Sequence, residues 1–368
     1  MTAVGLSDEM LVERTVARPV TEKTATSRRT KWKVLAFGVM GTITVVEIVL
    51  AAPYLDRAIS ALDRPDLRWL ALALVAELMS LGAFAHVQRR MLSAGGARVP
   101  MRRMAALTYA ANAVSRTLPG GPALSSGYVF KRLRSWGATV PAAGFTILAS
   151  GVLSTLSFAL LAVIGAVLAG NGGLSSLLIV AGAIVMTVAV LMARRHHKPD
   201  LLVRVASRSL VRANRIAHRA PEAGLAALHR VAGELSAIKP RNRDWLAGFG
   251  FAGLNWIADL ACLLACCHAV GASGSSLALV TVAFLAGMSA SSLSLLPGGL
   301  GVVDAAMIIA LTQGGVSTVP ATAAVLLYRL ISFALIVALG WLVWGATLLA
   351  EHRRPADAMA ASVSPITR

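Results

Sequence analysis

Leu118-Pro-Gly-Gly121 and Leu296-Pro-Gly-Gly299 are the same four residues set twice into strongly apolar surroundings. Their sequels match as well. The first copy runs on to Gly137-Ala-Thr-Val-Pro141-Ala and then to Ser157-Phe-Ala-Leu160 with Gly165. The second runs on to Gly315-Val-Ser-Thr-Val-Pro320-Ala and then to Ser332-Phe-Ala-Leu335 with Gly340. Proline removes a helix donor and glycine frees the backbone, so each copy interrupts an apolar helix. Helices broken in corresponding places of two half-repeats point to a transporter's binding site. The plainer alternative is a pair of kinked helices, since Gly and Pro commonly kink helices in membranes.

The surroundings are those of a membrane protein. Of 368 residues, 57% are hydrophobic and the mean hydropathy is +0.71, against about 45–50% apolar residues in soluble domains. Spans of the length a bilayer needs are expected at Val34–Ala52, Trp69–Val87, Val140–Ala169, Leu174–Ala193, Trp245–Val270 and Ala321–Ala350. Two further apolar stretches, beginning at Met104 and at Ser276, contain the breaks. The expected fold is therefore an all-α polytopic membrane protein, with about six full spans and two broken re-entrant hairpins in an inverted repeat.

The net charge is +18. The basic residues lie between spans and lack the interleaved aromatics that stack bases, so no nucleic-acid partner is expected. Positive loops held on the cytoplasmic side account for the excess. Cys262, Cys266 and Cys267 share one span and read as small packing residues, with neither a disulfide nor a metal framework. A signal peptide cleaved after Ala51 or Ala52 is conceivable, but the long basic start favours an uncleaved first helix.

The orientation follows from the positive residues. Residues 1–33 form a basic cytoplasmic tail, residues 34–193 a first membrane half with the first hairpin, and residues 194–243 a cytoplasmic loop with twelve Lys and Arg. Residues 244–350 form the second half with the second hairpin, and 351–368 a cytoplasmic tail. Both termini are thus expected on the cytoplasmic side of the cell membrane. The first hairpin dips in from the cytoplasm and the second from outside, although parity alone also permits full crossings by the second pair of limbs. Within the loop, Leu225, Leu228, Val231, Leu235 and Ile238 recur at helical spacing over Pro221–Ile238. They fit an amphipathic helix on anionic inner-leaflet lipid, or equally one that packs on the protein or meets a cytoplasmic partner.

Six ionisable residues fall within apolar segments: Glu47, Glu77, Arg116, Asp259, Asp304 and Arg329. Each costs about 2.5–3.5 kcal/mol at a lipid-facing helix centre, so they are expected to share a polar interior. Each restarting limb also presents backbone N–H groups and a positive helix end. The candidate headgroup site comprises Arg116, Pro119, Gly120, Gly121, Ser125, Ser126 and Tyr128 at the first break. At the second it comprises Pro297, Gly298, Gly299, Gly301, Asp304 and Arg329. Glu47, Glu77 and Asp259 are candidates for ion coupling. The bland counterpart is a set of internal ion pairs, such as Asp304 with Arg329, that only pin helices together. Asn112, Asn255 and Trp256 are weaker candidates, since a membrane Asn bonds a neighbouring helix as readily as a ligand.

Asn112-Ala-Val-Ser-Arg-Thr-Leu-Pro-Gly-Gly121, Leu296-Pro-Gly-Gly-Leu-Gly-Val-Val-Asp304-Ala and Leu327-Tyr-Arg329-Leu-Ile-Ser-Phe333 resemble the flippase-like transmembrane region of lysylphosphatidylglycerol synthases. The resemblance covers about Val34 to Ala350 and implies a helical bundle that moves a lipid headgroup between leaflets. The family usually carries Glu where this chain has Asp304. It often has a Gly-Glu pair after the first Pro-Gly, where this chain reads Ala123-Leu-Ser-Ser126. The resemblance implies a stand-alone member without the soluble synthase domain, and no cofactor.

Four functions are consistent with these observations. The first is a translocase for an anionic, aminoacylated or glycosylated lipid. It carries no nucleotide-binding motif, so it would draw on an ion gradient or on the lipid gradient itself. The second is an ion-coupled transporter of a small anion. An intramembrane enzyme, the third, is disfavoured because no His-Glu-x-x-His pair and no nucleophile with a placed base is present. The fourth is a non-transporting scaffold that acts through the basic loop.

Overall fold

Helix boundaries follow the stop and start signals in the sequence. The computed structural model describes residues 65–118, 120–170, 200–216, 224–238, 240–293 and 301–347, with isolated positions such as Gly299 between them. The expected spans Val34–Ala52 and Leu174–Ala193, Glu47, Pro119, Pro297, Gly298 and both tails lie outside the described residues. Every regular element among the described residues is helical. Among the described residues, four helices are long and apolar enough to cross a membrane: Leu67–Ala94, Val140–Ala169, Asn242–Ala269 and Thr318–Thr347. Large apolar side chains such as Val75, Leu148, Val167, Ile257 and Leu342 stand exposed along them, as a lipid-facing surface requires.

The first of these, α1 (Leu67–Ala94), opens with the Asp66 carboxylate accepting from the Arg68 N–H at 2.9 Å. Next, α2 (Met101–Thr117) stops at Leu118, which is extended at φ −100° and ψ 140° because a residue before proline is pushed out of the helical region. Gly120 then turns at φ 68°, and α3 (Gly121–Ser135) restarts with a proline in its first turn. The two limbs fold back on each other: the Ser125 hydroxyl donates to the Ala111 carbonyl at 2.8 Å across the turn. Only glycine fits at 121, where a Cβ would collide with the Ser115 carbonyl. Gly121→Ala is therefore expected to lower the melting temperature of the detergent-solubilised protein, by a destabilisation of about 1–3 kcal/mol. Gly144→Ala, in open space within a helix, should melt with the wild type; equal melting of both variants would remove the tight turn.

The second membrane-length helix, α4 (Val140–Ala169), is capped by Thr139 and ended by Gly170 at φ 80°. Two helices follow in the basic loop, α5 (Asp200–Ile216) and α6 (Leu225–Ala237), and α6 packs on both α5 and α4. The amphipathic segment expected over Pro221–Ile238 is thus α6, resting at least in part on the protein. Next, α7 (Asn242–Ala269) begins with the Asp244 carboxylate accepting from the Arg241 N–H at 3.0 Å.

In the second half, α8 (Leu277–Leu293) and α9 (Val302–Gln313) form the other hairpin. A Cβ on Gly287 would fall 2.5 Å from Met307 Cε, and one on Gly314 would strike the Leu279 side chain. These pairs are centred on Pro297, as Ser125 and Ala111 are centred on Leu118. Last comes α10 (Thr318–Arg329), which continues through a π turn, Leu330–Leu335, toward Thr347.

The halves correspond and interlock. α1 and α7 are both 28 residues long and pair antiparallel along their length. Asp66 N–H donates to the Ala269 carbonyl at 3.0 Å at one end, and Arg90 meets Asp244 at 2.9 Å at the other. Between them Trp69 stacks on His268, Asn255 donates to Ser80, and His86 stacks on Phe251. Buried small residues, Ala73, Ala76, Ala83, Ala252, Ala258 and Cys262, let the backbones approach. Equivalent helices running in opposite directions make the repeat an inverted one. Gly165 of α4 lies against Thr281 and Leu285 of α8, and its counterpart Gly340 lies against Tyr109 and Ala113 of α2. Each repeat thus seats the helix that follows its hairpin against the other repeat's hairpin.

Candidate functional site

Charged side chains from five helices meet where the hairpins approach the α1–α7 seam. From α1 comes Glu77, 1% exposed. Its carboxyl and that of Asp259 on α7 lie close enough to interact electrostatically. Tyr328 of α10, also 1% exposed, donates its hydroxyl to Asp259 Oδ1 at 2.8 Å. Arg116 ends α2 just before the first break and lies near enough to both carboxyls to interact electrostatically. Its Nη1 donates to the Ser332 carbonyl at 2.6 Å. That carbonyl belongs to the π turn, a backbone irregularity common at functional sites. An arginine of the first half thus grips the irregular turn of the second.

The second hairpin contributes Asp304, at the third position of α9. Its Oδ2 accepts from the Gly301 N–H at 3.0 Å, while Oδ1 pairs with Arg329 Nε at 2.8 Å. Gly301 has φ 79° and Gly299 φ 65°, conformations that glycine adopts without strain. Arg329 is 11% exposed in its side chain and lies over the Phe333 ring, 5.2 Å from its centroid. The guanidinium is close enough to Asp259 to feel its charge, so the pair joins the same network. Two cations and three carboxyls therefore occupy one region of a membrane-spanning bundle, an arrangement stable only where each charge finds partners.

The residues singled out from the sequence divide in two. Arg116, Glu77, Asp259, Asp304 and Arg329 come together, and Gly299 and Gly301 shape the start of α9. Ser125 instead bonds the Ala111 carbonyl of its own hairpin, and Ser126 the Pro122 carbonyl one turn back. Tyr128 packs with the apolar cluster around Leu107, Val129 and Leu133. Of the weaker candidates, Asn255 donates to Ser80 Oγ at 2.7 Å and Trp256 to the Ser154 carbonyl at 2.9 Å. Asn112 donates to the Thr108 carbonyl. The first two bonds join neighbouring helices, whereas that of Asn112 stays within its own helix. Sequence reasoning passed over Tyr328, because a tyrosine in an apolar helix gives no charge signal. The adjacent Arg329 was the available cue. The three cysteines are buried, and among the described residues no group of metal-ligating side chains converges.

Two interlocked repeats, membrane-length helices and a charged centre define a multi-pass α-helical membrane protein. A family model described as the lysylphosphatidylglycerol synthase TM region matches residues 33–340. The chain belongs to that family. No curated protein sequence matches it.

Proposed function

We propose that the chain is a lipid translocase, passing a phosphate-bearing headgroup between leaflets of the cell membrane along the charged region between its hairpins. The observation that carries this is the convergence of Arg116, Glu77, Asp259, Tyr328, Asp304 and Arg329 from both repeats. Membership of a family named for a lipid synthase's membrane region supports a lipid as the cargo. Arg116 suits the phosphate, and the Glu77–Asp259 pair suits a cationic amino group on the same headgroup. The same two carboxyls are, with Glu47, the ion-coupling candidates. In this conformation the charges engage one another. Passage requires them to exchange those partners for the headgroup and regain them afterwards. The hairpins, on this view, are re-entrant and enter from opposite faces, with both termini cytoplasmic.

The test is reconstitution in vesicles carrying headgroup-labelled phosphatidylglycerol, its aminoacylated form, phosphatidylethanolamine or a glycolipid. A membrane-impermeant quencher then reports the inner-leaflet fraction. Protein-dependent loss of protection for one lipid class is the expected result. Bilayers that keep every lipid protected, with or without an ion gradient, would refute a translocase. Uptake of a small soluble anion regardless of lipid composition would assign the site to solute transport instead.

A further inference from the structure

The basic loop carries a feature that headgroup passage does not use. At 3.6 residues per turn, Arg204, Arg208, Arg212 and Arg215 of α5 fall within an arc of about 80° and run about 16 Å along the helix. All four are exposed, and with Ser207 and His229 they line a groove between α5 and α6. Around the helix from this stripe, Leu210 faces the turn at Gly224, which fixes the stripe's outward aspect. No acidic residue lies three or four positions from Arg208, Arg212 or Arg215 within α5, so the helix offers no carboxylate spaced to pair with these three arginines.

The position of the pair indicates what covers it. α6 packs on α4, and four residues separate the end of α6 from the start of α7. The α7 start is fixed by Arg90–Asp244 and by Trp245 against Phe145 near the start of α4. At this same end of the bundle Arg89 donates to the Val99 carbonyl and Arg134 to the Ala138 carbonyl. The groove therefore sits at the basic end of the membrane helices, where lipid phosphates form a plane of negative charge. Neither α5 nor α6 contains an aromatic residue, so the stacking platform of a nucleic-acid site is missing there.

We infer that α5 and α6 form a peripheral site for acidic phospholipid headgroups of the membrane holding the chain, with the arginine stripe engaging their phosphates. The site is separate from the charged centre and stands whether or not the chain moves lipid. Basic side chains at an anionic surface each strengthen attraction severalfold, and salt screens it.

Hydrogen exchange over 200–216, measured on the full chain in nanodiscs, tests this. Discs containing phosphatidylglycerol should slow exchange about tenfold relative to phosphatidylcholine alone, and high salt should erase the difference. R208Q/R212Q/R215Q should lose the slowing while exchange in α4 and α7 stays unchanged. R208K/R212K/R215K should keep it; loss there too would assign the effect to folding and overturn the site. Equal exchange in both discs would overturn it as well. So would slowing by inorganic phosphate in neutral discs, or slowing that needs an added acidic protein or RNA.

Discussion

Arg116→Ala is expected to cut labelled-lipid passage in proteoliposomes by about one to two orders of magnitude, the loss of a charge-assisted hydrogen bond in a shielded site. The side chain links the halves: it donates to the Ser332 carbonyl of the π turn and faces Glu77 and Asp259. Its removal leaves a buried carbonyl without this donor and two carboxyls without their nearest first-half cation. Arg116→Lys keeps the charge but loses the forked donor geometry, so an intermediate rate is expected. The measurement needs matched reconstitution and melting behaviour. Wild-type passage by a properly folded Arg116→Ala protein would show that this arginine does not handle the headgroup.

The second large effect falls on stability. Asp304 caps α9 through Gly301 and holds Arg329 through its other oxygen. Asp304→Ala removes a cap worth about 1 kcal/mol and strips the anion from a guanidinium whose side chain is 11% exposed. Removing one partner of a buried pair costs about 3–5 kcal/mol; the Phe333 ring beneath Arg329 offsets part of that. A loss of about 3 kcal/mol overall is expected in unfolding measured in micelles. Asp304→Asn should lose less, because an amide oxygen still accepts from the cap. The double variant Asp304→Leu with Arg329→Met should recover much of the loss, since well-packed apolar residues can replace a buried ion pair. If Asp304→Ala unfolds with the wild type, the pair does not hold the hairpin to α10.

Much of the architecture was legible because membrane folding penalises exceptions. Proline after Leu118 must end a helix, and a charge such as Asp259 or Arg116 within an apolar run must face inward. Those two constraints located the first hairpin and the residues that converge. They also left the ion-pair alternative open, and Asp304 with Arg329 does form that pair. Hydroxyls were less legible, because Ser126 bonds a carbonyl one turn back, a local option that any serine in a helix has, and Ser125 bonds the opposite limb of its hairpin. The π turn after Arg329 leaves no compositional trace. Helix α5 is hidden in the sequence because its arginines dominate the loop's composition, whereas α6 shows apolar residues at helical spacing. The small residues at Gly165 and Gly340 were visible as matched glycines. What they touch, the opposite half's hairpin, depends on a chain crossing that no local pattern records.

The antiparallel seam has a consequence for the resting protein. In its register Ser80 and Asn255 are equivalent positions that bond to each other at the pseudo-axis. One turn to one side lie Glu77 and Asp259. The positions that the axis would pair on the other side are Phe84 and Ala252. Swapping the roles of the halves therefore does not regenerate an equivalent molecule, because acids would stand where a ring and a methyl stood. If the chain passes a headgroup as proposed, the inward- and outward-facing forms of such a lopsided duplicate would differ in energy, and without cargo the population would rest mainly on one of them.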